Sequence, residues 1–195
     1  MACVAGGVWC VAGCRLLFGR VRMSEAGPET IRRAHAVRPL AAVQSEYSLW
    51  AQHLEARVPP PLREPCIGLV PFAPLGRGFL TGEVRSETAF AEGDFRRDNP
   101  LFTGGNFRRN LRIADEVAAG AAEADATPAR VTLARLLAQD GDIAPLPGTK
   151  RVDRVEENTA ADRIELAAAH IEKLNSLPAA AGATHHEAGM QLLER

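Results

Sequence analysis

Tyrosine occurs once in this 195-residue chain, at Tyr47, and lysine only twice, at Lys150 and Lys173. Any chemistry that needs a tyrosine or lysine proton donor therefore has very few residues to draw on. Charge of one sign is also missing: the formal net charge is −1 and the pI is near 6.5, so the chain has no broad basic field for nucleic acid or an anionic membrane. Cys3, Cys10, Cys14 and Cys66 form neither a C-x-x-C pair nor the repeated spacing of a zinc site or disulfide frame, and read as free thiols in a reducing, cytoplasmic setting. No apolar run reaches the roughly 20 residues of a membrane span. The opening stretch Met1 to Phe18 is apolar but has no basic segment ahead of it, and residues 1–20 read as an unrelated or disordered N-terminal segment.

What is present is ordinary for one good-sized domain, with 46% hydrophobic and 24% charged residues. Short apolar runs alternate with helical patterns. Met23 to Ala26 leads out of a strand, and Pro28 opens a helix to about Val37. Pro39 to Gln44 reads as a strand, Trp50 to Pro65 holds helical material cut by Pro59-Pro60-Pro61, and Ile67 to Phe72 is a second clear strand. Glu83 to Phe107 loses periodicity and reads as a long functional excursion. Helices are expected over Arg108 to Ala124 and from the Thr127-Pro128 cap to Gly141. A third strand spans Ile143 to Leu146, and a last amphipathic helix runs from about Asp162 to Leu177. Strand and helix in alternation mean βα units around a parallel sheet, so the fold class is α/β. In a closed barrel of such units ligands sit at the C-terminal strand ends. Here those ends carry Ser24, Gln44 to Tyr47, Phe72 to Gly78 and Gly148 to Arg154.

The most informative stretch is Ile143 to Asn158. An apolar run ends in the Pro147-Gly148 turn, Lys150, Arg151 and Arg154 follow, and a short helix opens behind them. Free N–H groups and the positive end of a helix dipole favour an anion there, and the basic side chains add mobile charge. The plain alternative is a solvated helix start, with Arg154 and Glu157 paired on its surface.

Four segments in order resemble the aldo-keto reductase family: Ser24-Glu25-Ala26-Gly27-Pro28 through His35; Gln44-Ser45-Glu46-Tyr47 through Trp50; Pro71-Phe72-Ala73-Pro74-Leu75-Gly76-Arg77-Gly78 through Gly82; and Pro147-Gly148-Thr149-Lys150 through Asn158. They look most similar to the branch that includes perakine-reductase-like plant enzymes. The resemblance implies a (β/α)8 TIM barrel, here a partial one of about the last four βα units over residues 21–177, with a flexible tail over 178–195. It implies NADP as cofactor and reduction of an aldehyde or ketone by hydride transfer, without a metal. By the same resemblance Ser24 and Gln44 would hold the nicotinamide carboxamide and Phe72 would stack under the ring. Leu75, Gly76 and Arg77 would line the pyrophosphate, Thr149, Lys150 and Arg154 would grip the 2′-phosphate, and Glu157 and Asn158 would meet the adenine.

The family's catalytic Asp, Tyr, Lys and His come from the early strands, and nothing here matches them. Tyr47 belongs to the Gln44 motif, and His35, His53, His185 and His186 match no catalytic histidine. The expectation is a chain that keeps much of the cofactor site but lacks the catalytic residues. The alternative is a non-catalytic NADP-binding or interaction module, or a truncated gene product. A half barrel also leaves sheet edges open, so self-association through those edges is expected.

Overall fold

The structure is a computed structural model and describes residues 21–52, Leu62 and 67–184. The four cysteines, His53, His185, His186, residues 1–20 and most of the expected helix at Trp50 to Pro65 lie outside the described residues.

Three parallel strands form the sheet: β1 (Val21–Ser24), β2 (Leu40–Glu46) and β3 (Gly68–Phe72), in that spatial order. Helix α1 (Pro28–Val37) makes the first crossover. Pro28 sits at its tolerated first position, and Arg38 closes it through a bond to the Ala34 carbonyl just before Pro39. Registered neighbours in a parallel sheet point the same way, so Met23, Val43 and Leu69 form one row. That row faces Ile31 of α1, Leu136 and Ile143 in a buried cluster. The alternate row, Ser24, Gln44 and Val70, lies on the other face and is not buried.

The expected third strand at Ile143 to Leu146 is reduced to two bridges, Leu69 to Ile143 and Phe72 to Leu146. The cause is Pro71. Leu69 exchanges both rungs, donating to the Asp142 carbonyl and accepting from Ala144, both at 2.9 Å, and the Pro71 carbonyl accepts from Leu146 at 2.8 Å. Pro71 has no N–H to return, so the ladder is interrupted there.

Beyond the sheet the chain builds a second core. Trp50, Phe79, Phe90, Phe102 and Phe107 pack with ring centroids 4.5 to 5.8 Å apart. Helix α2 (Gly104–Glu123) begins four residues before the expected Arg108, since Phe107 belongs to this cluster and is carried on its first turn. Helix α3 (Pro128–Leu137), capped by the Thr127 side chain, is buried at every position from Ala129 to Leu136 except Arg130. Its Val131 enters the aromatic cluster and its Leu136 the sheet cluster, so it ties the two cores together.

Helix α4 (Val152–Thr159) follows the basic turn. The single long helix expected over Asp162 to Leu177 is instead a 3-10 turn, Ala160–Arg163, and a separate helix α5 (Ala168–Asn175). Ile164 and Ala167 are extended, which carries Leu166 onto the aromatic cluster. Among the described residues no helix is long and apolar enough to cross a membrane.

Candidate functional site

A cleft of about 250 Å³ opens beyond the C-terminal end of β3. One wall is the bend from Ala73 to Thr81, and the opposite wall is the Pro147–Thr149 turn with the first turns of α4. Phe79 and Leu80, both fully buried, anchor the bend in the aromatic core and leave Arg77, Gly78 and Thr81 on the cleft side. Gly76, Arg77 and Gly78 have φ of +57°, +56° and +89°. Glycine takes that conformation freely, but at Arg77 it costs about 1–2 kcal/mol. Arg96 holds the bend, its Nη1 donating to the Arg77 carbonyl at 3.1 Å. Arg96 is in turn forked onto Asp94 and lies 4.6 Å over the Phe90 ring.

Of the residues singled out in the sequence, Leu75, Arg77, Thr149, Arg154, Glu157 and Asn158 line this one cleft. Gly76 lies buried behind it, where an added Cβ would meet Leu80 and Trp50. Lys150 is exposed next to Thr149 on the rim and is not part of the lining. Ser24 and Gln44 are registered neighbours on the uncovered sheet face, and Phe72 ends β3 immediately before the cleft wall.

Arg77 does not point freely into the cleft. Its Nη2 is 2.9 Å from Glu46 Oε2, and its Nη1 donates to the Thr184 carbonyl at 3.0 Å. Burial raises the Glu46 pKa and Arg77 opposes it, with Glu25 adding to the rise. Glu25 Oε1 also accepts from the Glu46 backbone N–H at 2.7 Å. This pairing of a buried Glu46 with a half-buried Glu25 at the strand ends was not legible from the sequence, where Glu46 reads only as a polar strand end.

On the opposite wall Arg154 is forked between two carboxylates: Nη1 to Glu157 at 2.6 Å and Nη2 to Glu83 across the cleft. Burial pushes Glu157 up, but hydrogen bonds from Thr127 and Arg154 and the Arg130 charge leave it below the usual value. Asn158 is 9% exposed, and among the described residues its Oδ1 has no hydrogen-bond partner. An orphaned acceptor of this kind costs about 1–3 kcal/mol unless a water or a ligand donates to it. Glu83 and Arg96 were missed as individual residues, because the excursion that carries them has no periodicity to place them. Among the described residues no group of three or more His, Cys, Asp or Glu could hold a metal ion.

The chain spans about half the length of the curated relatives it matches. It is 44% identical over 162 residues to aldo-keto reductase yakc of Schizosaccharomyces pombe, whose name carries NADP(+); the match covers 80% of this chain and 48% of that protein. It is 39% identical over 146 residues to probable aldo-keto reductase 1 of Glycine max, covering 75% of this chain and 42% of the relative. The glycerol dehydrogenase AKR11B4 from Gluconobacter oxydans superposes with a TM-score of 0.65 at 25% identity, over 74% of this chain and 48% of that one. The thermostable aldo-keto reductase Tm1743, solved with epalrestat, gives 0.61 at 20% identity, over 82% of this chain and 48% of that one. The likeness to Tm1743 bears on the fold alone, and the parallel sheet here is a partial version of that barrel. Residues 19–179 match the Aldo/keto reductase family model, and on that match and the 44% identity the chain belongs to the aldo/keto reductase family.

Proposed function

We propose that this chain carries the NADP(H)-binding side of a carbonyl reductase site. The observation that carries the reading is the cleft itself: residues 70 and more positions apart converge on it, and Asn158, whose buried Oδ1 has no hydrogen-bond partner among the described residues, is one of its lining residues. Thr149, Lys150 and Arg154 would meet a ribose phosphate, with Glu157 and Asn158 toward the base. The bend at Leu75 to Gly78 would receive the pyrophosphate, with Gly78 open enough for close backbone approach. Ser24 and Gln44, side by side on the open sheet face, would orient the nicotinamide amide against Phe72. Bound there, the cofactor would supply a hydride to an aldehyde or ketone. The yakc name supports NADP as the choice of cofactor.

Proton donation is a different matter. Tyr47 is 2% exposed, and its hydroxyl accepts from Arg135 Nη1 at 3.2 Å with the guanidinium over its ring. Lys173 is paired with Glu123 at 2.9 Å on the surface. Neither is placed to protonate a carbonyl, which supports a chain that binds cofactor without supplying the acid. That observation also favours the second reading, a non-catalytic NADP-binding module. Membership of the perakine-reductase-like branch, correspondence to about the last four βα units, a cytoplasmic setting, and self-association through the open barrel edges belong to the same proposal.

The test is calorimetric titration of the purified chain with NADPH and NADH, with size-exclusion chromatography on the same sample. Saturable NADPH binding, tighter than NADH, is expected. Equal affinity for the two, or no binding by a folded chain, ends the proposal.

A further inference from the structure

We infer that Glu83 sets how strongly this cleft prefers a phosphate monoester to a bare hydroxyl on the bound ribose. The inference rests on the cofactor reading above and names a specificity determinant within it. The phosphate end of the cleft is electrically balanced by its own carboxylates. Arg151 is forked onto Asp153, with Nε to Oδ1 at 3.1 Å, and Arg154 is shared by Glu157 and Glu83. Asp153 and Glu157 belong to α4 itself, two and three residues from the arginines they meet. Both move with the helix, and Glu157 is a fixed part of the wall.

Glu83 is different in kind. It comes from the opposite wall, directly after the left-handed Gly82, and its side chain is 61% exposed. Among the described residues, Glu83 is the one carboxylate from the opposite wall that meets Arg154 Nη2. A phosphate dianion needs that same arm of the guanidinium, so Glu83 must give it up and then faces the dianion as a like charge. A 2′-hydroxyl makes no such demand. Glu83 therefore weakens binding of the phosphorylated ribose selectively and leaves Lys150, which has no ion pair among the described residues, as the main attractive charge.

The probes are adenosine 2′,5′-bisphosphate and adenosine 5′-monophosphate, titrated calorimetrically into the full chain and its Glu83→Gln variant, with thermal melts as a folding check. Glu83→Gln should bind the bisphosphate about two- to fivefold tighter than the unmodified chain, the scale of an exposed charge pair. Affinity for the monophosphate should not change. The gain should shrink in 1 M salt, where the screening length is about 3 Å. It should also become smaller when Arg154→Ala is combined with Glu83→Gln, leaving only the part due to like-charge repulsion. Unchanged or weaker bisphosphate binding by Glu83→Gln overturns the inference, as does a gain that loss of Arg154 leaves undiminished. An unmodified chain that does not prefer the bisphosphate removes the cofactor reading and this inference together. A clear preference that Glu83→Gln leaves untouched removes only the inference.

Discussion

The Glu46 carboxylate and the Arg77 guanidinium meet at 2.9 Å with side chains only 6% and 11% exposed. They join the end of β2 to the left-handed bend that walls the cleft. Such a pair does not by itself make a fold more stable, since desolvation offsets much of its attraction, but breaking one half strands the other. Arg77→Ala should cost about 3–5 kcal/mol, because Glu46 stays buried and loses the Arg77 charge. Glu46→Gln combined with Arg77→Met should cost clearly less than Arg77→Ala alone. Urea denaturation of the three variants decides it, and equal losses for the single and double variants would remove the pair as the cause.

Acid sensitivity should have two opposed parts. Asp94 is held below its ordinary 3.8 chiefly by the hydrogen bonds from Arg96, and Glu157 lies below its ordinary 4.5 despite burial. Each contributes stability that is complete above its ordinary value and lost as pH falls through its lower folded one. Glu46 acts in the other direction: burial raises it above 4.5, so stability is gained as pH falls through its folded value toward 4.5. The urea midpoint should therefore rise modestly on acidification toward 4.5 and then fall below it. Glu46→Gln should flatten the rise and keep the fall. Superimposable profiles for the two proteins would contradict the assignment.

The stretch at Ala181 and Gly182 is strapped down through Asn110 and the close approach of Gly182 to Pro100. Asn110 Nδ2 donates to the Leu101 and Ala181 carbonyls at 2.9 and 3.0 Å, and its Oδ1 accepts from Ala181 N–H at 2.8 Å. Gly182 has φ +105°, and a Cβ there would fall 2.6 Å from the Pro100 carbonyl oxygen. Gly182→Ala should cost about 1–3 kcal/mol and speed amide exchange at Ala181. Asn110→Ala should speed it too. Protection at Ala181 that survives both changes would show the strap to be held elsewhere.

At the phosphate end, Lys150→Ala together with Arg154→Ala should abolish most preference for NADPH over NADH. Charge-assisted hydrogen bonds are worth about 1.5–3 kcal/mol each. Of the two single changes Lys150→Ala should cost more, since Arg154 is already shared by Glu83 and Glu157. Paired titrations with both nucleotides measure this, and a larger loss at Arg154 would reverse the ranking.

Local pattern determined a good deal of this protein. Proline at a helix start, an apolar run, and a threonine before a proline act within a few residues, and so α1, β2, β3 and the capped start of α3 are legible in the sequence. The same holds for the turn and helix from Pro147 to Asn158, and the ordered motifs already carry the family and six of the cleft residues. Where distant segments compete, pattern is silent. Pro71 thins the ladder to residues 143–146 from a neighbouring strand, and Leu166 leaves the expected register of the last helix to reach an aromatic core built elsewhere. The pairing of Glu46 with Arg77, the support of that bend by Arg96, and the reach of Glu83 to Arg154 join residues 19 to 71 positions apart. Charge partners carry no periodicity, and a carboxylate finds its guanidinium only where packing has already placed both. The tertiary structure therefore decided which of the basic residues are free to meet a phosphate and which are already engaged.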